Sequence, residues 1–208
     1  MNILKYEHAC FTVEKDKKLL VIDPGEFATD FIAPENVVAV VVTHEHSDHL
    51  DTEQLASIID KNPEAVIFGP DAVTSKLETL ASHTVTTGDV IAVGPFSLEF
   101  HGGHHAIIHE SIPAIPNLGV FINELIYYPG DAFTLTHKPV DTLALPVAAP
   151  WLKIGEVIDF LTLINPRVAF PTHDKILSNT GKELVDRILE GTAKTRGIMY
   201  QRIETLEV

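Results

Sequence analysis

The chain has 208 residues and a formal net charge of −14, from 15 basic and 29 acidic side chains. Its length and an apolar share of 45% suit one domain with a sizeable core, and no repeat, low-complexity tract or linker divides residues 1–208. The acidic surface carries no basic stripe, which argues against nucleic acid as a ligand. The longest apolar run, 37–42, is far too short to span a bilayer.

Cys10 is the single cysteine, which excludes an internal disulfide framework. Lys5, Glu7 and Glu14 interrupt the N-terminal segment, unlike a signal peptide, so the reducing cytoplasm is the expected compartment. A small-molecule substrate is the expected partner, with no nucleic acid and no membrane; a homo-oligomer stays open.

Three strands are expected first, over 2–6, 9–14 and 18–23, separated by turn material at "KDKK". "VVAVVVT" (37–43) has the unbroken β-branched character of a strand covered on both faces. A helix follows over 51–61, with Asp51 and Thr52 as capping types and Leu55, Ile58 and Ile59 on one face. Next come a strand over 65–69 and a helix over 70–81 opened by Pro70. Short strands are expected over 83–87, 89–94, 96–102, 118–123 and 125–130, and Phe96, Leu98 and Phe100 alternate as in a half-buried strand. The last third reads as strand 142–147, helix 154–164, strand 167–173, helix 181–195 and a closing strand over 200–208. Strand-rich stretches with helices interposed in both halves suggest two packed sheets covered by helices outside.

The burst "THEHSDHL" directly after the apolar strand holds His44, Glu45, His46, Asp48 and His49. In extended chain His44 and His46 point to the same side. Asp48 and His49 lie where the chain turns towards the next helix, which aims them at a second nearby point. That geometry suits two neighbouring cations, and imidazole with carboxylate is a normal zinc set, also compatible with manganese or iron. Four residues cannot fill two coordination spheres. Further donors at strand ends are His101, His104, His105 and His109 in "FHGGHHAIIHE", Asp131 in "IYYPGDA", and His173 with Asp174 in "VAFPTHD".

An H-x-H-x-D-H motif followed by a histidine, an aspartate and a final histidine resembles the metallo-β-lactamase superfamily, from "HACFTVE" through "PTHD". "GHHAIIHESIPAIPNLGVFI" and "LPVAAPWLK" look most like the small branch containing the ascorbate-6-phosphate lactonase-like proteins. The resemblance implies an α+β fold, a four-layer αββα sandwich of two mixed sheets with helices on the outer faces. It implies two divalent metal ions, zinc first, manganese or iron as alternatives. His44, His46 and a central histidine would hold one ion, Asp48, His49 and His173 the other, and Asp131 would bridge. His105 before Ala106 is the expected central ligand, with His104 the alternative. Asp48 and Asp131 are the catalytic candidates. Asp131 stands where true β-lactamases use cysteine, so antibiotic hydrolysis is not expected.

Asp23 in "LLVIDPG" resembles the acid that supports the metal-binding loop in the superfamily, and is equally a turn former before Pro24. His8 resembles a histidine near the pocket in the same branch. His109 is a candidate proton donor, and Trp151 and Lys153 are candidate pocket walls. His101 is expected to be structural. The expected activity is that of a binuclear metal-dependent hydrolase, in which a metal-bridging hydroxide attacks a small ester, lactone or phosphate ester. The alternative is a non-catalytic metal-binding scaffold or sensor of the same fold.

Overall fold

Apolar side chains on both sides of the strand 37–41 decide the layering. In the structure, a computed structural model that describes residues 1–208, the first half of the chain forms β1 (Asn2–Lys5), β2 (Phe11–Lys15), β3 (Lys18–Ile22), β4 (Val37–Val41), α1 (Thr52–Lys61), β5 (Val66–Gly69), α2 (Asp71–Thr74) and β6 (Ser82–Thr84). The second half forms β7 (Val90–Val93), β8 (Phe96–Gly102), β9 (Leu118–Ile122), β10 (Ile126–Tyr128), β11 (Thr142–Pro146), α3 (Ile154–Ile164), β12 (Val168–Thr172), α4 (Asn179–Arg196), β13 (Met199–Tyr200) and β14 (Thr205–Glu207). One sheet has the order β14-β1-β2-β3-β4-β5-β6 and the other β13-β12-β11-β10-β9-β8-β7. Both are mixed: antiparallel pairing on one side of β3 or β10 gives way to parallel pairing on the other.

Three apolar layers hold these sheets. Between them lie Phe11, Leu20, Ile22 and Val41 from the first and Phe100, Val120, Tyr128 and Phe170 from the second. Outside the first sheet, Val40, Val42 and Ile67 pack against Leu55 and Ile58 of α1 and Val73 of α2. Outside the second, Leu143, Leu145 and Ala169 pack against Val157, Phe160 and Leu161 of α3 and Leu189 and Ala193 of α4. The result is the expected αββα sandwich. Each fully buried side chain of this size contributes about 1.5–3 kcal/mol.

Asp51 caps α1 as its residue type predicts, accepting from the backbone N–H groups of Glu53 and Gln54. Two expected elements differ. The helix over 70–81 shrinks to α2, because i→i+3 turns at Lys76, Leu77 and Leu80 carry the chain onward. Those turns still bury Val73 and Leu77, so the apolar spacing is satisfied without a continuous helix. The closing strand over 200–208 is two strands on two sheets: β13 runs parallel to β12, and β14 pairs antiparallel with β1. Arg202 marks the crossing, bonded to Asp186 and Asp174. No helix is long and apolar enough to cross a membrane.

Candidate metal centre

Parallel strands end on the same edge of a sheet, so side chains just past their C-terminal ends meet. Asp23 follows β3, the 43–49 segment follows β4, Asp131 follows β10, and His173 follows β12. His105 sits in the loop between β8 and β9. Backbone bonds lace these loops together: Leu118 N–H to Thr43 O (3.0 Å), Ala106 N–H to Asp131 O (2.8 Å) and His105 N–H to Ile115 O (2.9 Å). The seven side chains expected as ligands come together as three overlapping groups of donor atoms. These are His44, His46 and His105; Asp48, His49 and His173 together with His8; and His44, His49 and Asp131. Within each group the donor atoms lie inside 4.8 Å of one another.

The protons of the imidazoles can be placed by their partners. His49 donates Nδ1–H to Asp23 Oδ2 at 2.7 Å. Thr43 donates its hydroxyl to the same oxygen at 2.7 Å, so its Oγ1 accepts from His44 Nδ1–H at 3.1 Å. His105 donates Nδ1–H to Ala106 O at 2.6 Å, and His173 donates Nδ1–H to Ala148 O at 2.5 Å. In all four rings the outer nitrogen makes this bond, which leaves Nε2 facing inward as the atom that can offer a lone pair to a cation. His46 brings Nδ1 to 3.1 Å from His44 Nε2.

What those lone pairs face is more electron density. Asp131 Oδ1 lies 3.3 Å from His49 Nε2, and its Oδ2 lies 3.4 Å from His105 Nε2 and 3.0 Å from His173 Nε2. Asp48 Oδ2 lies 3.2 Å from His173 Nε2. His49 Nε2, His105 Nε2, His173 Nε2 and Asp131 Oδ1 are buried with no hydrogen-bond partner. Each such orphan costs about 1–3 kcal/mol. One or more cations among them would satisfy all four at once, and the donor set is a normal one for a divalent ion.

The electrostatics agree. Burial holds His44 well below the usual imidazole range, so it is a neutral ligand type. Burial opposes the charge of Asp131, yet His49 and His173 hold it ionised. Burial also opposes a charge on His173, but the charge and hydrogen bond of Asp131, then Asp48, lift it to about 9. The pocket calls for positive charge at these nitrogens.

Around the donors, Asp23 accepts from Thr43 N–H (2.8 Å), the Thr43 hydroxyl and His49 together. His8 is fully buried and lies 3.0 Å from Asp48 Oδ2 through Nε2. Its Nδ1 accepts from Lys175 N–H at 3.3 Å, so Nε2 carries the proton and His8 holds Asp48 in place. Trp151 donates its indole N–H to Asp131 Oδ2 at 2.8 Å. Three of the candidate residues lie apart from the donor groups. His104 is exposed and stays outside the donor groups, because His105 takes the inward position of the loop. His109 turns to Ser111, with Nδ1 2.8 Å from its hydroxyl. Lys153 stands exposed at the start of α3, where its backbone N–H donates to Glu156. Asp174 is tied to Arg202 and Lys182 rather than to the donors, and His101 pairs with Glu99 at 3.3 Å.

Two positioning residues were not singled out from the sequence. Asn117 accepts from Asp131 N–H at 3.0 Å and donates to Pro129 O at 2.9 Å, fixing the turn that aims Asp131. An asparagine directly before the apolar run "LGVFI" was the available signal. Gly25 lies so close to the 48–49 backbone that a Cβ would sit 2.1 Å from Asp48 C and O.

A four-layer sandwich with a histidine and aspartate cluster on one edge defines the class. The chain belongs to the beta-lactamase superfamily, whose domain matches residues 2–173. It is 32% identical to Protein Rv0786c of Mycobacterium tuberculosis over 183 residues, 86% of each chain. It is 26% identical over 185 residues to a UPF0173 metal-dependent hydrolase of Pyrococcus horikoshii, covering 80% of this chain and 81% of that one. Among solved structures it is similar to Igni18, a metallo hydrolase of Ignicoccus hospitalis, with a TM-score of 0.77 and 18% identity over 100% of this chain and 98% of that chain. That last likeness is one of fold.

Proposed function

We propose that this metal-dependent hydrolase works with two divalent cations, zinc first among them, on a small substrate with an ester, lactone or phosphate ester bond. The observation that carries the reading is the set of four buried inward-facing donor atoms without partners. His44, His46 and His105 would hold one ion, and Asp48, His49 and His173 the other. Asp131, within 3.4 Å of His49, His105 and His173, would serve both. Imidazole and carboxylate donors without a thiolate suit zinc, manganese or iron. When bound, such ions polarise a carbonyl or phosphoryl oxygen and make water acidic enough to act as the nucleophile near neutral pH.

The chain's own groups keep that arrangement fixed. Asp23 orients His49, His8 orients Asp48, and Trp151 occupies one oxygen of Asp131. Outer partners of this kind set ligand orientation and basicity, and their loss typically lowers metal affinity or activity about 10–100-fold. Elemental analysis of purified protein, paired with an ester, lactone and phosphate ester panel, tests the reading. The expectation is about two ions per chain and turnover of at least one class, with Asp48→Ala or His173→Ala losing about one ion and the activity. Stoichiometric metal with no turnover in any class would favour a non-catalytic scaffold.

A further inference from the structure

We propose that the Tyr128 hydroxyl is the fourth hydrogen-bond donor to Asp23, which makes Tyr128 a positioning residue for one histidine of each metal-binding triad. The bond itself belongs to the fold, and its effect on metal binding rests on the two-cation reading above.

In "IYYPGD" the two tyrosines of β10 point to opposite faces, as a strand's period requires. Tyr127 faces outward, and its hydroxyl donates to Thr134 O at 2.8 Å. Tyr128 faces the layer between the sheets, with Ile22 and Val41, its ring edge-on to Phe11 at 5.5 Å. It is fully buried, and its hydroxyl has no hydrogen-bond partner. A buried phenol normally finds one, and phenylalanine would fill the same space without stranding a polar atom.

The acceptor it faces is Asp23, the residue directly after Ile22. Just past Tyr128, Gly130 lies so close to Thr43 that a Cβ there would sit 3.0 Å from Thr43 Oγ1. Thr43 in turn is bonded to Asp23 through its N–H and its hydroxyl. Burial pushes the phenol well above its usual range, and the charge of Asp23, ahead of Asp131 and Asp48, pushes it the same way. The hydroxyl therefore keeps its proton and can only donate to these carboxylates.

Counting lone pairs makes Asp23 the taker. An ionised carboxylate offers about four acceptor sites. Three are used, by Thr43 N–H, the Thr43 hydroxyl and His49 Nδ1–H. Asp23 is fully buried and its one ion-pair partner is His49, so hydrogen bonds must carry its charge. Tyr128 stops short of bonding geometry here, and a small turn of its ring or of the carboxylate closes the contact.

The consequence reaches both triads. Asp23 orients His49 directly, and through Thr43 Oγ1, which lies 3.1 Å from His44 Nδ1, it orients His44 as well. The terminal torsion of a carboxylate is soft. A fourth donor removes that freedom and fixes both imidazoles at once.

The test is a double-mutant cycle on Tyr128→Phe and Asp23→Asn, read by thermal melts of the metal-free proteins and by zinc competition against a chelator. Phenylalanine keeps the ring and its contact with Phe11. The expected result is that Tyr128→Phe lowers Tm by about 2–4 °C and weakens zinc binding about tenfold. In the Asp23→Asn background the Tm loss falls by about half, since a bond to a neutral amide is about half as strong. A Tm that stays level or rises in Tyr128→Phe shows the hydroxyl to be unpartnered and overturns the inference. Equal Tm losses in both backgrounds assign the effect to packing and overturn it too. A lowered, coupled Tm with unchanged zinc affinity overturns the positioning role. Wild-type protein that takes up no zinc sinks the metal reading and that role with it, while the melts still decide whether the Tyr128–Asp23 bond exists.

Discussion

Asp23 and His49 are 26 residues apart in sequence, fully buried, and joined by a 2.7 Å hydrogen bond from His49 Nδ1 to Asp23 Oδ2. That bond turns the bare Nε2 of His49 towards Asp131. Asp23→Asn keeps the shape but removes the charge that favours this tautomer. It should weaken binding of the ion held by Asp48, His49 and His173 about 10–100-fold. Competition against a chelator of known affinity measures this, and unchanged affinity would show that Asp23 serves only as a turn former.

Gly25 reaches the same place through the backbone. A methyl group there meets Asp48 C and O at 2.1 Å, and backbone cannot swing aside as a flexible side chain would. Gly25→Ala should therefore displace the 48–49 turn, costing about 1–3 kcal/mol or more and lowering Tm by several degrees. Metal content should fall with it. A thermal melt and elemental analysis of the same sample check both halves of this expectation.

Much of this was legible in the sequence, for reasons that particular residues make plain. Phe96, Leu98 and Phe100 alternate with Ser97 and Glu99, and the strand buries the first set as that period requires. Donors placed directly after apolar runs were visible because strand ends are local features. Partnership between strands is not local. The 200–208 segment has its apolar residues at Tyr200, Ile203, Leu206 and Val208, and nothing in that spacing marks the change of sheet between β13 and β14. Val73 and Leu77 have helical spacing that turns satisfied equally well. Asn117 and Gly25 matter through contacts with Asp131 and Asp48, which exist only once the loops have closed.

Away from the centre, the Arg167 guanidinium donates Nε–H to Asp141 Oδ1 (2.8 Å) and Nη2–H to Oδ2 (3.0 Å). That hydrogen bonding holds the Asp141 carboxyl below its usual range. A lowered folded-state pKa contributes stability above the unfolded value of about 4, lost as pH falls through the folded value. Both partners are partly exposed, so the effect is small and salt-sensitive. Asp141→Asn should lower Tm slightly at neutral pH and not at all near pH 2. Melts across that range compare the two proteins, and an equal shift at both ends would exclude the ion pair as the cause.

The central claim is that loops from distant parts of the chain close around a pair of cations. Anomalous diffraction from metal-loaded crystals, collected on both sides of the absorption edge, tests it most directly. The account predicts two peaks: one bonded to His44, His46 and His105, the other to Asp48, His49 and His173, with Asp131 touching both. A single peak, or ions bound elsewhere while these side chains bond only to each other and to water, would contradict it.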